Sequence, residues 1–83
     1  MLAQAVLLPA VEHLARAGAR HIEITEHKER LTGGNWLFAV VLWKHKRYQL
    51  DTAKIAYESW TENVVAMAGL MFVLAAQLRT KRP

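Results

Sequence analysis

The chain is constrained most by one uncharged stretch, which runs from Asn63 to Leu78. Ser59 and Glu62 stand just before it with the S-x-x-E spacing of a capping box, in which each side chain accepts a hydrogen bond from the backbone N–H of the other residue. Alanine, leucine and methionine make up most of the stretch and favour a helix, and basic residues follow it, where the helix dipole favours positive charge. The stretch predicts a helix that is apolar on nearly every side, and such a helix must be buried or lie in a membrane.

The length of this stretch argues against a membrane span. A span needs about 20 apolar residues, and the uncharged run is shorter. The first residues of the chain are also apolar, but they lack a basic region and are interrupted by Glu12, so they do not predict a signal peptide. We therefore expect a cytoplasmic protein that does not enter a membrane.

The composition limits how the chain can become stable. Its 83 residues predict one small domain, 1–83, and a domain of this size buries only about 60% of its unfolded surface. Cysteine is absent, so neither a disulfide nor a thiolate metal site can add stability. Because 53% of the residues are hydrophobic, more apolar surface is present than a small monomer can hide. We predict a homo-oligomer or a tightly partnered protein.

The residues before the uncharged stretch predict one helix and three strands. Apolar residues recur with helical spacing over 2–17, and Gly18 can end that helix. Residues 20–31 alternate between apolar and polar, 36–43 are apolar on both faces, and 48–50 alternate again. We predict an α+β fold of helix, three-stranded antiparallel meander and helix (α-β-β-β-α), with both helices on one face of the sheet and a basic tail at 79–83.

The predicted turns fix a register and sort the side chains between two faces. A two-residue turn at Gly33-Gly34 places Leu31 opposite Trp36, His27 opposite Val40, Thr25 opposite Leu42 and Ile24 opposite Trp43. A second turn at His45-Lys46 pairs Trp43 with Tyr48 and Val41 with Leu50. The predicted core face consists of Ile22, Ile24, Leu37, Ala39, Val41, Trp43, Tyr48 and Leu50. The opposite, uncovered face consists of Leu31, Trp36, Phe38, Val40 and Leu42.

The uncovered face motivates the first functional hypothesis. An apolar stripe rimmed by polar residues and left without cover is typical of an interaction site. We predict a small non-catalytic protein-binding module, an inhibitor or adaptor of the kind that phages and other mobile elements encode. Its partner, another protein or a second copy of the chain, is expected to bind through Trp36, Phe38, Val40 and Leu42.

Nucleic-acid binding is the first alternative. The net charge is +4, and basic residues cluster at 44–47 and 79–82. The order of a helix, three strands and a helix also resembles that of the double-stranded-RNA-binding domain. That family binds through a lysine-rich start of its last helix, whereas Asp51 to Lys54 supplies a single lysine here. Contacts to phosphate would therefore come from Lys44, Lys46, Arg47, Lys54, Arg79, Lys81 and Arg82.

A metal-dependent or acid–base enzyme is the second alternative. His21, Glu23 and His27 share one predicted strand face, but strand residues two apart are about 7 Å apart. Zinc needs ligands at about 2.0–2.1 Å, so the two histidines cannot share one ion unless the strand bends. The sequence also places no nucleophile beside a base. We predict no enzyme activity, no metal, no cofactor and no small-molecule substrate.

Overall fold

A computed structural model of the protein describes residues 2–28, 31, 34–53 and 60–81. These residues form α1 (Leu2–Arg16), β1 (His21–Lys28), β2 (Asn35–Trp43), β3 (Lys46–Asp51) and α2 (Trp60–Thr80). The strands make one antiparallel sheet in the order β1-β2-β3. The predicted α+β class and the α-β-β-β-α order are confirmed. Ser59 of the predicted capping box, Gly33 of the predicted first turn, and Lys54 and Arg82 of the predicted phosphate contacts lie outside the described residues.

α1 ends where the sequence predicts, because Gly18 adopts a left-handed conformation with φ of 104°. The Gly18 N–H donates to the Ala15 carbonyl and the Ala19 N–H to the Leu14 carbonyl, each at 3.0 Å. These two bonds form a Schellman motif, which satisfies carbonyls that the last helical turn leaves open. The motif turns the chain directly into β1.

The register of the sheet differs from the prediction at both turns. Six residues, 29–34, separate β1 from β2, so His27 pairs with Trp36 and Ile24 with Ala39. The second turn comes at Lys44 and His45, because Trp43 pairs with Lys46. Leu31 is 95% exposed and belongs to no strand. The predicted pairings were therefore wrong at both turns. They concerned Leu31, His27, Thr25 and Ile24 at the first turn, and Trp43 and Val41 at the second.

The start of β1 explains the first register error. The Arg20 N–H donates to the Leu42 carbonyl at 2.8 Å, and the Trp43 indole N–H donates to the Ala17 carbonyl at 3.0 Å. These bonds hold the first residue of β1, His21, beside Leu42. All eight residues of β1 then pair with β2, whereas the predicted register would have left the start of β1 beyond the end of β2.

Apart from Leu31, the predicted separation of the two faces is nevertheless correct. The first register is shifted by four residues and the second by two, and an even shift leaves every side chain on its original face. The inner residues of β2 (Leu37, Ala39, Val41 and Trp43) are buried against α1 and α2. Ile22, Ile24, Tyr48 and Leu50 pack half-buried at the rim of the same core.

α2 supplies half of the buried core residues, and does so from one side only. Its buried residues are Asn63, Val64, Met67, Ala68, Met71, Leu74, Ala75 and Leu78. They recur every three or four residues and therefore face α1 and the sheet. The helix extends through Thr80, so the tail predicted from Arg79 begins inside α2. Lys81 follows, and its ammonium group donates to the Tyr48 hydroxyl at 3.3 Å.

A buried polar cluster fixes the start of α2 to the sheet. Thr52 and Asn63 are fully buried. The Thr52 hydroxyl donates to the side-chain amide oxygen (Oδ1) of Asn63 and accepts from the Leu37 N–H at 2.9 Å. The Asn63 amide donates to the Asn35 carbonyl at 2.9 Å. The cluster joins the start of β2, the end of β3 and the first turn of α2, and burial makes its hydrogen bonds costly to lose.

Candidate functional site

The face of the sheet that points away from the helices carries an apolar stripe along β2. We call Trp36, Phe38, Val40 and Leu42 the sheet stripe. The first three side chains are half-buried, and Leu42 is 37% exposed. The described helices pack on the opposite face. Where the structure describes the chain, no helix or strand covers the sheet stripe.

An aromatic cluster forms one end of the sheet stripe. The His27 ring stacks on Trp36 with centroids 5.3 Å apart and planes 10° from parallel, and it meets the edge of Phe38 at 6.2 Å. The Thr25 hydroxyl lies 3.2 Å from His27 Nε2 and 3.3 Å from the Phe38 carbonyl. These contacts hold three rings in fixed positions before any partner binds, which reduces the entropy lost on binding.

Polar side chains flank the sheet stripe on both sides. His21, Glu23 and Thr25 on β1 lie across from Leu42, Val40 and Phe38. Arg47, Gln49 and Asp51 on β3 pair with the same three residues from the other side. The stripe is therefore an apolar line with a polar rim, which is the arrangement found in protein interfaces.

The histidines of β1 do not converge on one point. His21 Nε2 lies 3.7 Å from a carboxylate oxygen of Glu23, while His27 stacks on Trp36 at the other end of the strand. The two histidines are six steps apart along the strand, which corresponds to about 20 Å. Within the described residues, no group of three His, Cys, Asp or Glu side chains could hold a metal ion. The arrangement brings His21 and Glu23 together but not His27.

The basic clusters of the sequence meet at one end of the molecule. Lys44 lies at the tip of the β2–β3 hairpin, with its ammonium group 4.5 Å from the Trp43 ring. Lys81 reaches the hairpin at Tyr48, although 33 residues separate the two in sequence. The start of β1 and the end of α1 meet the same hairpin through Arg20 and Ala17. We call this the basic end; its exposed cations are Arg16, Arg20, Lys44, Lys46, Arg47, Arg79 and Lys81.

The opposite end of the sheet is more acidic. Glu26 and Asp51 are exposed where β2 begins, and Glu62 is exposed in the first turn of α2. Lys28 lies 3.5 Å from Glu26 and offsets its charge. The net charge of +4 is therefore unevenly distributed along the molecule.

A second apolar surface lies on the outer side of α2. Val65 is 56% exposed, Val73 is 57% exposed and Phe72 is 37% exposed, with the Phe72 ring edge against His13 at 4.8 Å. No charged residue stands on this side between Glu62 and Arg79. A helix on the surface of a soluble monomer normally carries polar residues there.

Length and composition make α2 the one described helix that could cross a membrane. Within the described residues, 44% of its most apolar window is buried against the rest of the protein. The core helix of a soluble protein has the same length and composition, so these properties assign no location. α1 carries a separate hollow of about 480 Å³ lined by Gln4, Leu7, Leu8 and Val11, and this lining contains no titratable group.

Sequence reasoning missed two features of these surfaces. Arg16 and Arg20 join the basic end only because the Schellman motif and β1 bring them beside the hairpin. Val65 and Phe72 were assigned to a helix buried on most sides, whereas they are exposed. The spacing of the apolar residues gave no sign of this, because both sides of α2 are apolar.

No protein-family model, curated protein or solved structure matches the chain. The likeness to the double-stranded-RNA-binding domain is thus one of element order alone.

Proposed function

We propose that this protein is a non-catalytic protein-binding module that holds its partner on the sheet stripe. The observation that carries the proposal is the line of four apolar side chains on the open face of a three-stranded sheet, with His27 stacked on Trp36 and perpendicular to Phe38 at one end. Aromatic residues dominate the binding energy of many protein interfaces. The polar flanks on β1 and β3 would form the rim.

The proposal is tested by replacing residues of the stripe and measuring binding. Partners are captured in parallel on the wild-type protein, on Trp36→Ala and on Phe38→Ala, and affinity is measured for each protein that only the wild type retains. We expect each substitution to weaken binding at least 30-fold, since aromatic hot spots contribute about 2 kcal/mol or more. Gln49→Ala, on the polar rim, is the matched control and should change affinity by less than about threefold.

Two results would contradict this function. One is a partner that binds the wild type and both aromatic variants equally well. The other is that no protein is enriched on the wild type over Trp36→Ala. Circular dichroism of each variant establishes that the fold persists, which we expect because both side chains lie on the face away from the core.

A second candidate function is binding to the phosphate backbone of nucleic acid. It is favoured by the convergence of cations from α1, the β2–β3 hairpin and α2 at the basic end. Such contacts release counterions, so the affinity should fall steeply with salt. The basic end carries no exposed Trp, Phe or Tyr side chain among the described residues, which predicts little preference for base sequence.

Salt dependence and charge reversal test this second function. Binding of a labelled RNA duplex is measured between 50 and 200 mM salt for the wild type and for Lys46→Glu and Arg47→Glu. Each reversal should lower the slope of log affinity against log salt by about 1 or more. Lys28→Glu, at the far end of the sheet, is the control and should leave the slope unchanged. Affinity that does not depend on salt would rule this function out.

A further inference from the structure

We propose that two copies of the chain pair through the outer sides of their α2 helices, in antiparallel orientation about a twofold axis. This inference concerns a different surface from the sheet stripe and does not depend on the function proposed for it. It begins from the outer side of α2, where six of the exposed residues form a line with alternating spacings of three and four. We call this line the α2 seam: Glu62, Val65, Gly69, Phe72, Ala76 and Arg79.

The spacing of the α2 seam is that of a helix-pairing surface. Residues separated by three and four in alternation lie on one narrow stripe of a helix and can contact a second helix along their whole length. All six residues are exposed in the single chain, and the four central ones are apolar. A stripe of this kind gains free energy when a second apolar surface removes it from water.

The order of the residues favours a second copy in antiparallel orientation. A twofold axis between Gly69 and Phe72 places Glu62 of one helix beside Arg79 of the other, and it does so at both ends of the seam. A parallel pair would instead place like charges together. The acidic and basic residues at the two ends are therefore complementary to a second copy of the same helix, and only when the copy is reversed.

The sizes of the side chains are complementary in the same arrangement. The axis places the Phe72 ring of each chain opposite Gly69 of the other, and Val65 opposite Ala76. Large residues thus meet small ones along the seam, which is how closely packed helices interdigitate.

Gly69 gives separate support. A glycine in the middle of a helix costs about 1 kcal/mol relative to alanine. Packing within the chain does not require it, because a Cβ added at Gly69 would meet nothing within 4 Å. The proposed dimer supplies a reason for the glycine, since a second helix carrying Phe72 occupies the space beside it.

The dimer would have four layers, with a sheet on each outer side and the helices in the middle. Both sheet stripes would then face outward, away from the dimer axis. One dimer could hold two partners or two sites on one partner, and such bivalence raises the overall affinity without any new contact.

Sedimentation equilibrium of the full chain in detergent-free buffer tests the proposal. We expect the wild type to form a reversible species of two 9.4 kDa chains. Val65→Glu should weaken association at least 100-fold, because it places a charge in the middle of an apolar interface. Gly69→Leu should weaken it at least tenfold, while its thermal midpoint as a dilute monomer does not fall. Leu42→Glu, on the sheet stripe, is the control and should still dimerise.

A charge-swap cycle tests the antiparallel orientation. Glu62→Arg and Arg79→Glu should each weaken the dimer by about tenfold, since each creates two contacts between like charges. The double variant should return to within about threefold of the wild type. Loss of helix stability cannot produce this recovery, because both substitutions oppose the helix dipole and their effects on the helix would add.

Several results would overturn the proposal. A wild type that remains a monomer at millimolar concentration would do so, as would dissociation of the dimer by Leu42→Glu, which would place self-association on the sheet. The proposal would also fail if the double charge swap did not restore dimerisation. The same holds if Val65→Glu and Gly69→Leu both associated as strongly as the wild type. A monomer that instead partitions into phosphatidylcholine–phosphatidylglycerol vesicles would assign the outer side of α2 to a lipid surface.

Discussion

The two sides of α2 have similar composition but opposite surroundings. Leu74 is 4% exposed and packs in the core, whereas its neighbour Val73 is 57% exposed. The inner side is held by α1, the sheet and the buried pair of Thr52 and Asn63. Among the described residues, the outer side contacts α1 where the Phe72 ring meets His13. Hydrophobicity alone therefore does not tell which side of a helix stabilises the monomer and which is left for a partner.

Truncation of neighbouring residues should give the largest difference between the two sides. Leu74→Ala removes buried methyl groups and leaves a cavity, so we expect a loss of about 2–5 kcal/mol in the free energy of unfolding. Val73→Ala removes mostly exposed surface and should cost less than about 0.5 kcal/mol. Urea denaturation of dilute protein measures both. Equal losses would mean that the outer side is also buried in the single chain.

The buried polar cluster at the start of α2 should give an intermediate effect. Thr52→Val keeps the shape of the side chain but removes the hydroxyl that bonds to the Leu37 N–H and to Asn63 Oδ1. We expect a loss of about 1–3 kcal/mol in the free energy of unfolding. Thr52→Ser keeps the hydroxyl and should recover most of that stability. If Thr52→Val and Thr52→Ser unfold at the same urea concentration, the hydroxyl does not anchor the helix.

Gly69→Ala should give the smallest effect and the opposite sign. The added methyl group contacts nothing within 4 Å in the chain, and alanine favours the helix by about 1 kcal/mol. The dilute monomer should therefore be stabilised by up to about 1 kcal/mol, as measured by urea denaturation. A destabilised monomer would show that Gly69 serves the fold of the single chain.

The strand faces were predictable because strand periodicity is two. Both turns were misplaced, yet the core and open faces were assigned correctly, since the errors were of four residues and of two. The first turn could not be located from Gly33-Gly34, because the register is set by bonds between Ala17, Arg20 and the end of β2. Those bonds join segments that lie more than 20 residues apart in the chain.

The candidate surfaces were predictable in part. Trp36, Phe38, Val40 and Leu42 were placed on the open face from alternation alone. The stacking of His27 on Trp36 was not foreseen, because the predicted register placed His27 opposite Val40. The sequence showed two basic clusters, but Arg16 and Arg20 join them only in three dimensions.

The sequence by itself determined the element types, their order and the division of the sheet into two faces. These follow from local periodicity, from Gly18 after α1 and from the uncharged stretch of α2, each of which acts within a few residues. Only the tertiary structure decided the strand register, the meeting of the basic clusters and the exposed side of α2. Each of these depends on which distant segments pack together, and a helix apolar all round has no pattern that distinguishes its two sides.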